Sequence, residues 1–585
     1  MISKMINKFI LILIVFTATL FGQQKVIIPQ VQEKISSEES YPVDARPYLE
    51  RFNKEHSTEI ERLKSIQTLK KINWNFQNGD KHIWQSADLR TGATPYFYSV
   101  PSTCRAVGLH CYVFVQDSAW VDINNKVNQT VVDSVQFAFD ERTPANPHKG
   151  IYDTDVETFG NPSSTYDSKI IILLLDIRDG YKGPPGGYVA GYFYSTAEGY
   201  NGAHIYFLDT NPLPFLKPDG TINSSGLTTG MKTTAHEFQH MIHFNYIPND
   251  ESFFDEGWSL AAEVINGYSL YNQSYFVGES NHYLLDWRRN DNTTVLRDYS
   301  RAARFSLYLK EQFSTIILKN YLTTKVNGVL GGVKGLNACI SALNSNRNFA
   351  SVLVDWWLAN FLNENVSNTH PEWIYTYTPL TKVNSNVTYT NPNVTNGTTS
   401  GLYKYSAEYI TFNSGKNLKI NFNTTVNGRI QIKAIKTNAT TKVIENVTPG
   451  TDYSVPDYTS VTFMIYHNDG SDSQTQPFIY SFNSSGITEV NESIELLPSS
   501  FSLDQNYPNP FNPSTEIRYQ LPAGSMVLLK IYDVLGREVA TLVNEFQQPG
   551  QYVKSFHGTS LPSGVYLYRL TAGNKVETKK MILIK

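Results

Sequence analysis

His236-Glu237-Phe238-Gln239-His240 sets two imidazoles four residues apart, with a carboxylate beside the first. On an α-helix, residues at that spacing lie on one face a turn apart. Both rings can therefore aim a nitrogen at one cation. Glu237, about 100° round the helix, can take a proton from a water held by that cation. This is the H-E-x-x-H pattern of ligand, base, ligand, and its chemistry is metal-assisted hydrolysis of a peptide bond, with Zn²⁺ the expected ion. A catalytic zinc takes three protein ligands and keeps one position open, so a third donor must come from another element.

The motif lies in an amphipathic helical pattern. Thr233-Thr234-Ala235 precede it, Phe238, Met241, Ile242 and Phe244 supply an apolar side, and Pro248-Asn249-Asp250 end it. Phe253-Phe254-Asp255-Glu256-Gly257-Trp258 then opens a second helical pattern through Leu260, Ala261, Ala262 and Val264. Glu256, sixteen residues beyond His240, heads a helix able to pack back on the first and is the expected third ligand. Two rivals remain. His243 shares nearly the same face as the pair but stands one turn further along the axis, and is expected to be a packed or ligand-orienting histidine. Glu263, seven residues beyond Glu256 on the same face, is a rival ligand or the carboxylate that orients a ligand imidazole, as such rings usually require.

The arrangement resembles the gluzincins, the thermolysin-like superfamily, in which a Glu from a nearby downstream helix completes the zinc site. The Asp-Glu-Gly-Trp run at 255–258 is similar to the Asn-Glu-Gly-Phe element of many of them. The metzincin pattern fails, because its Gly and third His fall on His243 and Tyr246. Ala106–His110, Cys111–Val115, Ile170–Asp176 and the helix pair together look similar to the hyicolysin-type peptidases, over roughly Leu89–Asn363. That resemblance implies a secreted zinc endopeptidase with His236, His240 and Glu256 as ligands and Glu237 as base. In zincins a helical lower half also supplies an oxyanion donor, and Tyr299 is the candidate.

At 585 residues the chain is too long for one core. A net charge of −4 provides no basic field and argues against nucleic acid as a partner. Aromatic content of 13% beside only 17% charged residues suits β-rich, exported sheets. Residues 1–22 read as an export signal, with Lys4 and Lys8, an apolar stretch from Phe9 to Leu20, and Gly22 before the cut. No later stretch is long and apolar enough to span a bilayer. Three cysteines are present, and Cys104 and Cys111 could close a small disulfide loop across Val107-Gly108-Leu109.

The expected organisation is an N-terminal segment or propeptide at 23–85, with helical periodicity from Tyr48 to Ile72, and a metallopeptidase domain at 86–375. A β-sandwich of short strands at 376–488, a linker at 489–500 and a terminal β-domain at 501–585 follow. The fold class expected is thus multidomain: an α+β zincin domain, with a mixed sheet, an active-site helix and a helical lower half, then β-sandwich domains. Gly183–Tyr188 reads as a loop near the cleft, and an edge strand beside the zinc helix can hold an extended substrate. Helices are expected at Thr294–Phe313, Gly335–Asn344 and Phe349–Glu364.

The last segment carries Asn509-Pro510-Phe511-Asn512-Pro513, an Asp533–Arg537 turn, a Gly564-Val565-Tyr566 strand and a basic-apolar tail from Lys579. It resembles the C-terminal sorting domain of type IX secretion cargo. That implies type IX machinery as a partner, passage through the periplasm, and a secreted or cell-surface-attached product. The expectation is a zinc endopeptidase acting on proteins or peptides. The alternative is a non-catalytic surface adhesin with a structural metal. No Gly-x-Met-Glu-Asn-type strand favours an aminopeptidase.

Overall fold

The computed structural model describes residues 41–584 except 43–44, 67–72, 94–95, 123, 167–168, 184–185, 271–272, 289–291, 326–330, 345, 365, 367–368, 377–379, 381, 390–391, 399–400, 425–428, 439–440, 469–477, 487–499, 523, 548–549, 560 and 574. The export signal at 1–22 and nearly all of the expected linker lie outside the described residues. The chain divides into two compact units, Met1–Thr488 and Glu489–Lys585.

The first unit runs β1 (Tyr41–Pro42), α1 (Arg46–Glu55), α2 (Ser57–Ile66), β2 (Lys81–Ala87), β3 (Phe97–Val107), β4 (Cys111–Gln116), α3 (Gln129–Asp140), α4 (Ile151–Phe159), β5 (Ile170–Leu175), β6 (Gly187–Tyr188), β7 (Gly191–Phe193), α5 (Ser195–Asn201) and β8 (Ile205–Asp209). Helices follow: α6 (Ser224–Tyr246), α7 (Ser252–Ile265), α8 (Asn292–Phe313), α9 (Ile316–Thr323), α10 (Gly332–Leu343) and α11 (Phe349–Leu362). Six strands form one mixed sheet in the order β2-β3-β4-β5-β8-β7. β4, β5 and β8 are parallel, and β7 returns antiparallel along the edge. The β5 run Ile-Ile-Ile-Leu-Leu-Leu is buried on both faces, as a central parallel strand with helices above and below must be.

Period-2 alternation sorts those strands between two cores. Val113, Val115, Ile172, Leu174, Tyr206 and Leu208 face α3, α4 and α6. Phe114, Ile171, Leu173, Ile205 and Phe207 face the other way, with Leu49 and Phe52 of α1 and Ile60 of α2. Burying each of those last side chains stabilises the unit by about 1.5–3 kcal/mol. The N-terminal segment is therefore built into the described unit. The boundary expected at 85/86 falls inside β2, and the sheet begins at Lys81.

The same alternation rules out the expected disulfide. Cys104 lies in one core and Cys111 in the other, on opposite faces of the sheet, and both are unpaired. Burial pushes the Cys104 thiol up to about 12 and the Cys111 thiol well above its ordinary value. The turn between them is tied instead by Asp140, whose carboxylate accepts from the Leu109 and His110 amides at 2.8 and 2.9 Å.

β9 (Val387–Tyr389), β10 (Val394–Thr398), β11 (Ala407–Thr424), β12 (Gln431–Thr437), β13 (Lys442–Val447), β14 (Tyr453–Tyr466) and β15 (Tyr480–Ser485) form a seven-stranded sheet around its own core. β11 and β14 are long, at 18 and 14 residues, rather than the short strands expected. The turn-like stretch Asn413–Asn417 is absorbed into β11, with Asn417 at a φ of 55°.

The second unit holds β16 (Ser502–Leu503), β17 (Ser514–Leu521), β18 (Ser525–Asp533), β19 (Glu538–Gln547), β20 (Gly550–His557), β21 (Gly564–Ala572) and β22 (Lys575–Leu583). They make a three-stranded sheet, β16-β17-β20, and a four-stranded one, β19-β18-β21-β22. Both contribute to one core, through Leu503, Ile517, Tyr519, Leu529, Ile531, Tyr568 and Leu583 among others.

At the sheet edge, β7 touches α6 with no room to spare. A Cβ on Gly191 would stand 2.5 Å from Thr233 Cγ2 and 2.8 Å from the Phe207 carbonyl. Gly191→Val is expected to push β7 off α6 and to cost about 1–3 kcal/mol. Thermal unfolding of the variant, which should begin at lower temperature than the parent, checks this.

Candidate metal centre

α6 starts twelve residues before His236, well upstream of the apolar periodicity. Asn223 caps it through the Gly226 amide. Gly226 and Gly230 let it pass close to Pro214 and Phe215, since a Cβ there would come within 2.2 Å of the Pro214 carbonyl or 2.4 Å of the Phe215 ring. α7 packs against α6. Its own position is fixed behind by Trp258, whose indole donates to the Leu318 carbonyl at 3.1 Å, and by Gly257, where a Cβ would lie 3.2 Å from the Ala302 carbonyl.

His236, His240 and Glu256 converge between these helices, with one ligand atom of each lying within 4.8 Å of the others. His236 Nε2 is 3.2 Å from Glu256 Oε2, and His240 Nε2 is 3.6 Å from Oε1. Donors about 2.0–2.1 Å from one tetrahedral ion stand roughly 3.3 Å apart, so these separations suit Zn²⁺. The other ring nitrogens are gripped from behind. His236 Nδ1 is 2.9 Å from Glu263 Oε1, and His240 Nδ1 is 2.8 Å from Asp255 Oδ1 and 3.0 Å from Ser259 Oγ. A proton held at Nδ1 leaves the Nε2 lone pair for a metal.

The electrostatics point the same way. Burial opposes charge on Glu256, yet Arg46, His240 and His236 outweigh it and hold its carboxyl well below the ordinary value. Burial also works against protonated imidazoles. The surrounding carboxylates win there too, raising His236 and bringing His240 up to about 9. A pocket that holds extra protons so firmly is one whose negative field suits a divalent cation.

Glu237 is buried on the neighbouring face of α6, where one carboxylate oxygen accepts from the Phe193 amide of β7 at 2.8 Å. Burial pushes its pKa up, against the pull of His236 and His240. His243 is 1% exposed in its side chain, with Nε2 2.9 Å from Asp250 Oδ2 and Nδ1 3.3 Å from Asp255 Oδ1. Tyr321 donates to the same Asp250 oxygen at 2.6 Å. His243 thus stands beside Asp255, one turn beyond His240. Tyr299 is buried on α8 with its ring edge-on to Trp287, 5.1 Å between centroids. It lies one turn before Ala302, on the helix behind Gly257.

Sequence reasoning missed Asp255 and Ser259 as partners of His240. Their positions one before and three after Glu256 were the available signal. It also missed Arg46, whose guanidinium bonds Asp255 and lies 3.0 Å from Glu256 Oε1. Nothing local marks a residue that reaches the site from 209 positions away.

Residues 505–585 match the family model of the secretion system C-terminal sorting domain. The chain therefore carries a type IX sorting tail and is secreted or attached to the cell surface. No helix among the described residues is long and apolar enough to cross a membrane. No curated protein matches the chain. Among solved structures it is similar to PorZ, a surface component of the type-IX secretion system of Porphyromonas gingivalis, at 17% identity over 21% of this chain and 15% of that one, TM-score 0.12. It is also similar to Legionella pneumophila aminopeptidase A, at 11% identity over 67% and 36%, TM-score 0.29. A third is a Faecalibacterium prausnitzii β-glucuronidase, at 8% identity over 30% and 36%, TM-score 0.12. The chain spans at most 36% of any of the three, and likeness at this level defines neither fold nor activity.

Deleting residues 501–585 is expected to strand the rest of the chain in the periplasm. Cell fractionation followed by immunoblotting checks this, and an unchanged extracellular or surface pool would refute it.

Proposed function

We propose that the chain is an exported zinc-dependent endopeptidase, a gluzincin-type enzyme similar to the hyicolysin group, that hydrolyses proteins or peptides. The observation that carries this reading is the convergence of His236 Nε2, His240 Nε2 and Glu256, with both Nδ1 atoms engaged by carboxylates. Zn²⁺ bound there would lower the pKa of a water towards neutrality and polarise the scissile carbonyl. His236 and His240 offer neutral Nε2 donors because Glu263 and Asp255 hold the Nδ1 protons. Glu237, tethered by the Phe193 amide, takes the proton of the attacking water and passes it to the leaving amine. Edge strand β7 offers an extended peptide a place beside α6. Tyr299 is the oxyanion donor that the gluzincin resemblance suggests.

A purely structural metal in a surface adhesin would call for a closed fourth position. Among the described residues, the group that can hold an ion has three side chains, the number that supports a catalytic site.

Glu237→Gln is expected to retain zinc and to lose casein hydrolysis by about 10²–10⁴-fold. A variant with the parent's rate would overturn the base assignment. Glu263→Gln, which leaves the His236 ring without its anionic partner, is expected to weaken zinc binding by about 10–100-fold, read by competition with a chromogenic chelator.

A further inference from the structure

We propose that residues 41–55 form a latency segment whose Arg46 covers the metal centre. The proposal rests on the reading of that centre as a zinc peptidase site. Three observations carry it. β1 lies parallel to β6, with Tyr41 opposite Gly187 and Pro42 opposite Tyr188. The segment therefore pairs by its backbone with the stretch that leads into the edge strand β7, as an extended peptide would. Four residues on, Arg46 turns its guanidinium onto Asp255 and Glu256. The oxygen it meets on Glu256, Oε1, is the one that faces His240 Nε2. The chain is then anchored beyond the site by α1. Leu49 and Phe52 enter the upper core, and the Phe52 ring sits edge-on to Phe97 and Tyr194 at 5.5 and 6.0 Å. Arg51 donates to the Leu89 carbonyl, Tyr194 donates to Asn53, and the Gly92 amide donates to Glu55.

A guanidinium has donors only and keeps its charge at every physiological pH. Placed on a carboxylate that a metal would use, it competes for that carboxylate and stands in the approach to it. Titration cannot lift it. It leaves only when the chain moves or is cut. The six-stranded sheet keeps its backbone pairing through that event, because its first strand begins at Lys81, while Leu49 and Phe52 leave the core on one of its faces.

The test uses the full-length chain and its Arg46→Ala and Arg46→Lys variants. Zinc affinity is measured by chelator competition, and casein hydrolysis is measured on the zinc-loaded proteins. With the guanidinium's charge no longer opposing the ion, Arg46→Ala is expected to bind zinc about tenfold or more tightly and to hydrolyse casein faster by a similar factor. Arg46→Lys, a point charge without the planar fork, should fall between the two. Equal affinities and equal rates in the parent and Arg46→Ala overturn the proposal while leaving the peptidase reading intact. If no form hydrolyses casein but Arg46→Ala still tightens zinc, the cover stands and the peptidase reading falls.

Discussion

The packing register of α7 against α6 is the constraint on which the candidate centre depends. One helix face supplies both the third ligand-type carboxylate and the groups that orient both imidazoles: Asp255 and Ser259 for His240, Glu256 between the rings, and Glu263 for His236. Counted from Glu256, Ser259 and Glu263 follow at three and seven residues, which matches the helical repeat, and Asp255 flanks it on the other side. A slip of one turn, about 5.4 Å, would take all of these contacts out of reach together. The register is held on the far side of α7, where Gly257 meets the Ala302 backbone and Trp258 bonds the Leu318 carbonyl. Residues with no part in the chemistry thus decide whether the chemistry is possible.

So many buried and half-buried carboxylates in one place are costly unless each has a cation or a proton donor. Glu263 lies between His236 and Lys232, whose Nζ is 3.2 Å from Oε2. Asp255 lies between His240, His243 and Arg46. Asp250 takes His243 and Tyr321. The acidic centre is embedded in a shell of donors that runs outward through two further layers. That shell explains how a strongly negative pocket persists inside a packed core, and why the imidazoles sit in fixed orientations.

The sequence was most readable where function and local geometry share a period. The H-E-x-x-H spacing, Glu256 at the head of the next helix and Glu263 seven residues on all obey the helical repeat, and the structure brings these side chains together. The helices at Asn292–Phe313, Gly332–Leu343 and Phe349–Leu362 were legible for the same reason. Legibility failed where tertiary packing overrode local preference. The first turns of α6 carry Gly226 and Gly230, poor helix formers kept small by the chain they pass. Helix α3, rich in β-branched Val131, Val132 and Val135, was not singled out from its sequence. Cys104 and Cys111 looked like partners because they are close in sequence, but the pleat sends them to opposite faces. Two apparent short strands became one, β11, because β14 pairs along almost its whole length.

Sequence distance also separates what builds the centre from what covers it. Every side chain that grips the two imidazoles lies within 236–263, a pair of consecutive helices whose contacts are local and form at little loop-closure cost. Arg46 comes from 209 residues away from Asp255. Its helix is held by the core on the opposite face of the sheet from the one that holds α6. The two therefore draw their stability from different apolar reservoirs. Leu49 and Phe52, which seat the helix of Arg46, share no core with Phe238, Met241 or Ile242, which seat the motif helix. A site assembled from near neighbours and shielded by a distant segment can be completed before it is exposed, and exposed without being dismantled.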